Sequence, residues 1–394
     1  MSLNFIQVRQ QVSDFGKYAN LQTQQLQRLS QQSDQLFIRY ANDLEWLHDR
    51  VARIAHHSDP ALRCALPINE PLNSKIPLLA QPGKATILAV DGSQVSPDRH
   101  LQVNYGLINV GAIAIQNYTS EQPATFTHSH LLYGEDIENI TEASLALQRD
   151  LAERRMLAEL AQKYPPPVFT FTDGPLELWG SRLVDYGEAT TFQKQIEEYL
   201  VILKQLHDIQ AITAGYIDKP AANLVVRLLE VALSQEQDWR NFHDYHPLRG
   251  VTDRSLLGRL LGPGERSAIF GLQSQSSSYY QGEYQLHFFY LNVSPTQEPS
   301  LARVEFPAWV SQQDDRVAEL QAVLVQQCRL LGNRPYPYAL HRAHETAVVN
   351  LPEKEQVTQM IVLEMVQRGL AVGKISSKQT LKDLPGKHRH QSNI

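Results

Sequence analysis

Apolar positions in the first 55 residues fall at Leu26, Leu29, Leu36, Tyr40, Leu44, Leu47, Val51 and Ile54 of a Gln-rich segment, with steps mostly of three and four. That spacing predicts one long helix burying a narrow face, with Ser33 filling a polar position in the stripe. Two partners fit the stripe equally, the body of the same chain or a second copy. Residues 60–82 are Pro-rich without a sustained period, which predicts an irregular connector. From residue 84 the pattern alternates. Apolar runs at 85–91, 103–118, 125–132, 168–173, 211–217 and 286–293 predict strands. Helical spacing at 141–163, 192–208, 221–234, 313–331 and 353–370 predicts helices, the first stopped by Pro165, Pro166 and Pro167. The alternation predicts an α/β core domain over 84–350. A helical segment and connector over 1–83 precede it, and a C-terminal helix with a basic tail over 351–394 follows. The Ser/Gln/Tyr-rich stretch 272–285 is read as a mobile loop bordering the substrate.

Composition narrows the classes. A chain of 394 residues with 42% hydrophobic content can bury a large core. No run of about 18 apolar residues occurs, and MSLNFIQVRQ lacks the basic start and apolar stretch of a secretory signal, so a cytoplasmic protein without membrane contact is expected. Cys64 and Cys328 form no CxxC pair, which excludes a disulfide framework or cysteine zinc site and fits a reducing compartment. The net charge of −6 excludes a wholly basic coat, although a local basic groove remains compatible with it.

Candidate chemistry begins where two predicted strands end in an acid followed by glycine, at Asp91-Gly92 and Asp173-Gly174. A carboxylate released at a strand's C-terminal end projects into the crevice where open α/β sheets bind ligands. Two such acids can share Mg²⁺ or Mn²⁺, which take oxygen ligands. The alternative is that each merely shapes a turn. Asp218 ends a third strand and is read first as the cap of a helix opened by Pro220, second as a member of the acid group. Glu153 and Glu159 lie six apart on the 141–163 helix, so at most one faces a common site. Near the C-terminus, Tyr336 and Tyr338 bracket Pro337, and His341 and His344 fall on adjacent turns of a helix. An imidazole there can bind metal or orient a phosphate, and a tyrosine hydroxyl can hydrogen-bond a phosphate oxygen. Taken alone, the block also fits packing aromatics and a satisfied histidine.

In order and content, VDGSQVSPD, FTDGPLELW, AGYIDKPAANLVVRLLE, TDRSLLGRLLGPGERSAIF and YPYALHRAHETAV resemble the NurA nuclease family over residues 85–350. The resemblance implies an RNase H-like core, a mixed sheet flanked by helices, to which the long N-terminal helix is added. It implies a Mn²⁺-dependent nuclease, with Mg²⁺ as the other ion and one or two ions per site. The activity would be single-strand endonuclease and 5′ to 3′ exonuclease on single- and double-stranded DNA, serving end resection in double-strand break repair. The partners implied are a second copy, as a homodimer, and a HerA-type hexameric ATPase. Matched position by position, the family's site falls on Asp91, Asp173, Tyr336 and His344, with Glu153 as the helix acid and Glu159 as its alternative. Asp91, Glu153, Asp173 and His344 would hold metal, and Tyr336 would position the strand. Backbone contacts are expected from Arg249, Arg254, Arg259 and Arg266, and from Lys374, Lys378, Lys382, Lys387 and Arg389, unless these are ordinary surface charge. Two other classes stay open: a non-catalytic docking protein of the same fold, and an actin-like ATPase, which the absence of a Gly- and Thr-rich phosphate loop disfavours.

Overall fold

The computed structural model describes residues 3–97, 104–134, 137, 140–178 and 186–370. The expected single helix is two. Helix α1 (Phe5–Arg39) ends where the Tyr40 N–H turns back onto Ile38 and Leu36, and α2 (Leu44–His57) begins after Asn42 and Asp43. Asn and Asp favour turns, yet the step from Tyr40 to Leu44 keeps the apolar stripe in register across the break. Leu36, Phe37, Leu47, Val51 and Ile54 are buried in the main core. In the first half of α1, Phe5, Ile6, Val12, Phe15, Tyr18 and Leu21 are exposed.

The expected connector also contains a strand, β1 (Cys64–Pro67), at one edge of a nine-stranded sheet. The other strands are β2 (Thr86–Val95), β3 (Gly106–Gln116), β4 (Ala124–Leu132), β5 (Val168–Asp173), β6 (Ile212–Asp218), β7 (Phe270–Gln273), β8 (Leu286–Asn292) and β9 (Leu301–Pro307), in the order β1-β7-β8-β9-β6-β5-β2-β3-β4. Strands β2, β3 and β4 form an antiparallel meander, β5 runs parallel to β2 and β6 parallel to β5. A three-strand meander whose first strand is followed outward by two parallel strands is the RNase H-like arrangement, here extended past β6 by four antiparallel pairings. The chain is therefore α/β with a mixed sheet, as expected.

Helix α3 (Glu142–Ala161) packs on β2, β3 and β5, beside α4 (Tyr186–Asp208). Helix α5 (Leu224–Leu233) begins four residues later than Pro220, and its first amides, Val225 and Val226, donate to the buried Asp253 of the short α6 (Asp253–Leu257). Helices α7 (Ala308–Ser311) and α8 (Asp314–Arg329) lead to α9 (Tyr338–Ala347), which lies on β2 and β3, and then to α10 (Leu351–Gln367). Fully buried aromatics, among them Phe169, Phe171, Tyr216, Phe288, Tyr290 and Trp309, fill the layers between sheet and helices. Stretch 272–285 folds into two short 3₁₀ turns with Tyr280 buried, and Ser274 and Ser276 donate to Glu177. Residues 275, 278, 281–283 and 285 of the stretch are exposed.

Candidate active site

Strand pairing decides which side chains meet. Asp91 is the cross-strand partner of Gly111, and the β2–β5 register puts Val90 beside Thr172, so Asp91 and Asp173 stand side by side on one face. Asp173 pairs in turn with Tyr216, two residues before Asp218. Three acids thus lie on the same face of three adjacent parallel strands, Asp173 and Asp218 as the last residues of theirs. Asp91 sits mid-strand instead, because β2 runs on through Gly92 to Val95 in register with β3, and the glycine turn expected after Asp91 does not form. Asp218 contacts Lys219 at 3.7 Å and faces Asp173 and Tyr336. It does not cap the following helix, whose amides are served by Asp253 from another part of the chain.

Gly111 leaves room for α9 on that face. A Cβ there would lie 2.5 Å from the Ala347 nitrogen and 2.9 Å from the Ala343 carbonyl oxygen. The close approach is held by Ser93 and Asn109, whose side chains both donate to the Ala347 carbonyl. It brings His344 onto the site, with Nδ1 2.6 Å from Asp91 Oδ2. Tyr336, just before α9, faces Asp173 with its hydroxyl and meets the Tyr216 ring edge-on at 5.6 Å.

Glu153 reaches the same acids from the opposite face. Gly92 presents no side chain to α3, and a Cβ there would lie 2.6 Å from Glu153 Oε1 and 2.7 Å from Arg149 Cγ. The glycine after Asp91 is thus the opening through which α3 delivers its carboxylate. Glu153 is buried and Glu159 is exposed on the same helix. Burial, then the Asp150 and Asp91 charges, push the Glu153 carboxyl up to about 8 against the pull of Arg154 and Arg149. Burial and the Asp91 charge likewise raise the Asp173 carboxyl, partly offset by the Tyr336 hydrogen bond. The Tyr336 hydroxyl is raised by burial and by Asp173.

The structure therefore groups Asp91, Asp173, Tyr336 and His344 on one face, while Glu153 approaches Asp91 from the other. Two arginines next to Glu153 had not been singled out. Arg149 lies 3.2 Å from Glu153 and donates to Asp150, an i, i+4 acid–base pair legible in LQRDLAERR. Arg154 is buried and donates to the carbonyls of Asp150 and Pro175. Of the expected backbone contacts, Arg266 is buried in a two-pronged pair with Glu70, and Arg259 pairs with Asp34 of α1. Arg249 and Arg254 are exposed. Lys374, Lys378, Lys382, Lys387 and Arg389 lie outside the described residues.

Among the described residues, no three carboxylate, imidazole or thiol groups converge into a ready-made cation cage. Each acid holds a partner of its own instead: His344 for Asp91, Tyr336 for Asp173 and Arg149 for Glu153. The donor set nonetheless fits a hard divalent cation, since it is mainly carboxylate oxygen and its acids crowd enough to raise one another. A cavity of about 440 Å³ lined by His48, Gln273, Tyr280 and His287 contains none of these acids. No described helix is long and apolar enough to cross a membrane.

The model of the NurA domain matches residues 85–349. No curated protein sequence matches the chain. Among solved structures, the chain is similar to the NurA nuclease from Sulfolobus solfataricus, at 12% identity over 81% of this chain and 94% of that one, with a TM-score of 0.47. It is similar to the catalytic domain of human endonuclease V at 13% identity, over 82% of this chain and 98% of that one, with a TM-score of 0.31. Drosophila Piwi matches at 10% identity over 66% of this chain and 29% of its own, with a TM-score of 0.29. These are distant likenesses, and the fold assignment rests on the strand order.

Proposed function

The chain belongs to the NurA domain family, and from that premise we propose that it is a metal-dependent DNA nuclease whose site is built on Asp91, Asp173 and Glu153. The observation that carries this reading is that Asp91 and Asp173 lie side by side on adjacent strands, with the Glu153 carboxylate held over Gly92 next to Asp91. Asp91, Asp173, Glu153 and His344 would hold the divalent ion, Mn²⁺ or Mg²⁺, one or two per site. Such an ion supplies charge neutralisation at a phosphate and polarisation of water. The chain's own groups do the rest. Tyr336 fixes the carboxylate of Asp173 through its hydroxyl and lies where a strand would pass. His344 holds Asp91 through Nδ1, and its Nε2 then serves either as a ligand to the ion or as the group that takes or delivers a proton at the leaving oxygen. No protein nucleophile is required.

In the same reading, residues 84–350 form the catalytic domain, flanked by 1–83 and 351–394. The chain acts in the cytoplasm on single- and double-stranded DNA, as single-strand endonuclease and 5′ to 3′ exonuclease, during end resection. It works as a homodimer beside a HerA-type ATPase, because a site made of carboxylates has no means of moving along DNA. Incubation of end-labelled single-stranded DNA with Mn²⁺, with EDTA and with ATP separates the classes. Shortening in Mn²⁺ alone supports the nuclease. Phosphate release from ATP without shortening points to an ATPase, and neither result leaves a docking protein.

A further inference from the structure

The acidic site contains one guanidinium that the nuclease reading leaves unused. Arg149 sits on α3 one turn before Glu153, and its stem crosses Gly92, with Cδ 3.1 Å from where a Cβ would stand. That contact holds the charged end beside Asp91 and Glu153 rather than out in solvent. Nη2 donates to Asp150 at 2.9 Å and Nε lies 3.2 Å from Glu153 Oε1. Among the described residues Nη1 has no protein acceptor, and the side chain is 30% exposed. Arg154, five positions on, is the contrasting case, since its Nη1 and Nη2 are both spent on backbone carbonyls beneath the surface.

A guanidinium with a free edge, set beside Asp91, Asp150 and Glu153 at a site read as cutting a nucleic-acid strand, matches the geometry of a phosphate oxygen. We propose that Arg149 is a phosphate-binding residue of the site and contacts the backbone of the strand at or next to the position cleaved. The structural alternative is that Arg149 serves only as counter-ion to the buried Glu153. The two differ in what they predict for DNA. A counter-ion leaves DNA affinity and its salt dependence alone once the fold is kept, whereas a phosphate contact contributes to both.

This proposal rests on the nuclease reading, so wild-type cleavage of a short labelled single strand in Mn²⁺ is checked first. Affinity for that strand is then measured by fluorescence anisotropy in Ca²⁺ over a range of salt, for wild type, R149Q and R149K, with a thermal melt for each. R149Q is expected to weaken binding about tenfold. It should lower the slope of log affinity against log salt by about 0.7, the value of one single-strand phosphate contact. R149K keeps the charge but not the fork, so it should keep the slope and lose about threefold in affinity. A wild-type affinity in both folded variants overturns the proposal and leaves the nuclease reading standing. Should R149Q fail to fold, a wild-type affinity in R149K alone overturns it. A wild-type chain that neither binds nor cuts the strand overturns both readings together.

Discussion

Arg154, the residue after Glu153, donates from Nη2 to the carbonyl of Pro175, two residues past Asp173, at 2.9 Å. The loop leaving Asp173 is fastened at two further points, Gly174 N–H to the Tyr216 carbonyl and Leu176 N–H to the buried Glu305 carboxylate. One helix therefore supplies both an acid to the site and the clamp on the loop that carries another. Arg154→Met keeps bulk and removes both carbonyl contacts, leaving buried acceptors unpaired. It should cost about 2–4 kcal/mol in denaturant unfolding and lower cleavage at least about tenfold in the folded fraction. Wild-type activity in a destabilised Arg154→Met protein would show that the clamp is structural only.

Gly111→Ala tests how His344 reaches Asp91. The new Cβ would meet backbone atoms of α9 at 2.5 Å, 2.7 Å and 2.9 Å, and backbone cannot swing aside as a side chain can. The helix must shift, at a cost of about 1–3 kcal/mol, and His344 moves with it. Gly83→Ala, with nothing within 4 Å, is the control. Equal melting temperature and activity in the two variants would contradict the close packing of α9.

The Glu153 carboxyl gives a pH prediction with a definite sign. Its pKa rises from 4.5 to about 8 on folding without metal. Between those values the folded chain holds a proton that the unfolded chain has lost. The stability it contributes is complete below pH 4.5 and is lost as pH rises through about 8. Melting temperature in EDTA should therefore fall as pH rises across that window. Glu153→Gln, which cannot ionise, should flatten the fall by on the order of a few degrees. Parallel curves for the two proteins would mean that Glu153 is not held in a proton-retaining environment.

The N-terminal stripe divides into two functions. Leu36 through Ile54 belong to the main core, so removing all of it would strip the fold rather than test association. Phe5, Ile6, Val12, Phe15, Tyr18 and Leu21 are exposed on α1 before the core contacts begin. Deleting residues 1–24 should leave the chain folded and convert the proposed dimer to a monomer by light scattering. A full-length chain that is monomeric at micromolar concentration defeats the dimer, and a truncated chain that stays dimeric moves the contact elsewhere.

Asp91 and Asp173 are legible in sequence because each follows an apolar run and precedes a glycine, a local signal that needs no tertiary knowledge, whereas Glu153 is separated from Glu159 only by its burial in the fold. Strand β9 is not legible, because Arg303 and Glu305 interrupt its apolar pattern and are tolerated only as a buried ion pair at 2.8 Å. The break between α1 and α2 is hidden by a stripe that stays in phase across it. Asp218 reads as a helix cap because Pro220 follows, yet the helix starts at Leu224 and takes its acceptors from Asp253, far along the chain. That His344 meets Asp91 depends on what a Gly111 Cβ would strike, which only the folded packing reveals.

The central claim is that Asp91, Asp173 and Glu153, and not Glu159, form one catalytic acid group. Its most direct test is Mn²⁺-dependent cleavage of single-stranded DNA by Asp91→Asn, Asp173→Asn, Glu153→Gln and Glu159→Gln, each shown to be folded by circular dichroism. Each of the first three removes one carboxylate charge with little change in bulk, and each should reduce cleavage by at least about a hundredfold. Glu159→Gln, altered on the exposed face of α3, should cut at the wild-type rate. Full activity in folded Asp91→Asn, or loss in Glu159→Gln with Glu153→Gln unaffected, would contradict the account.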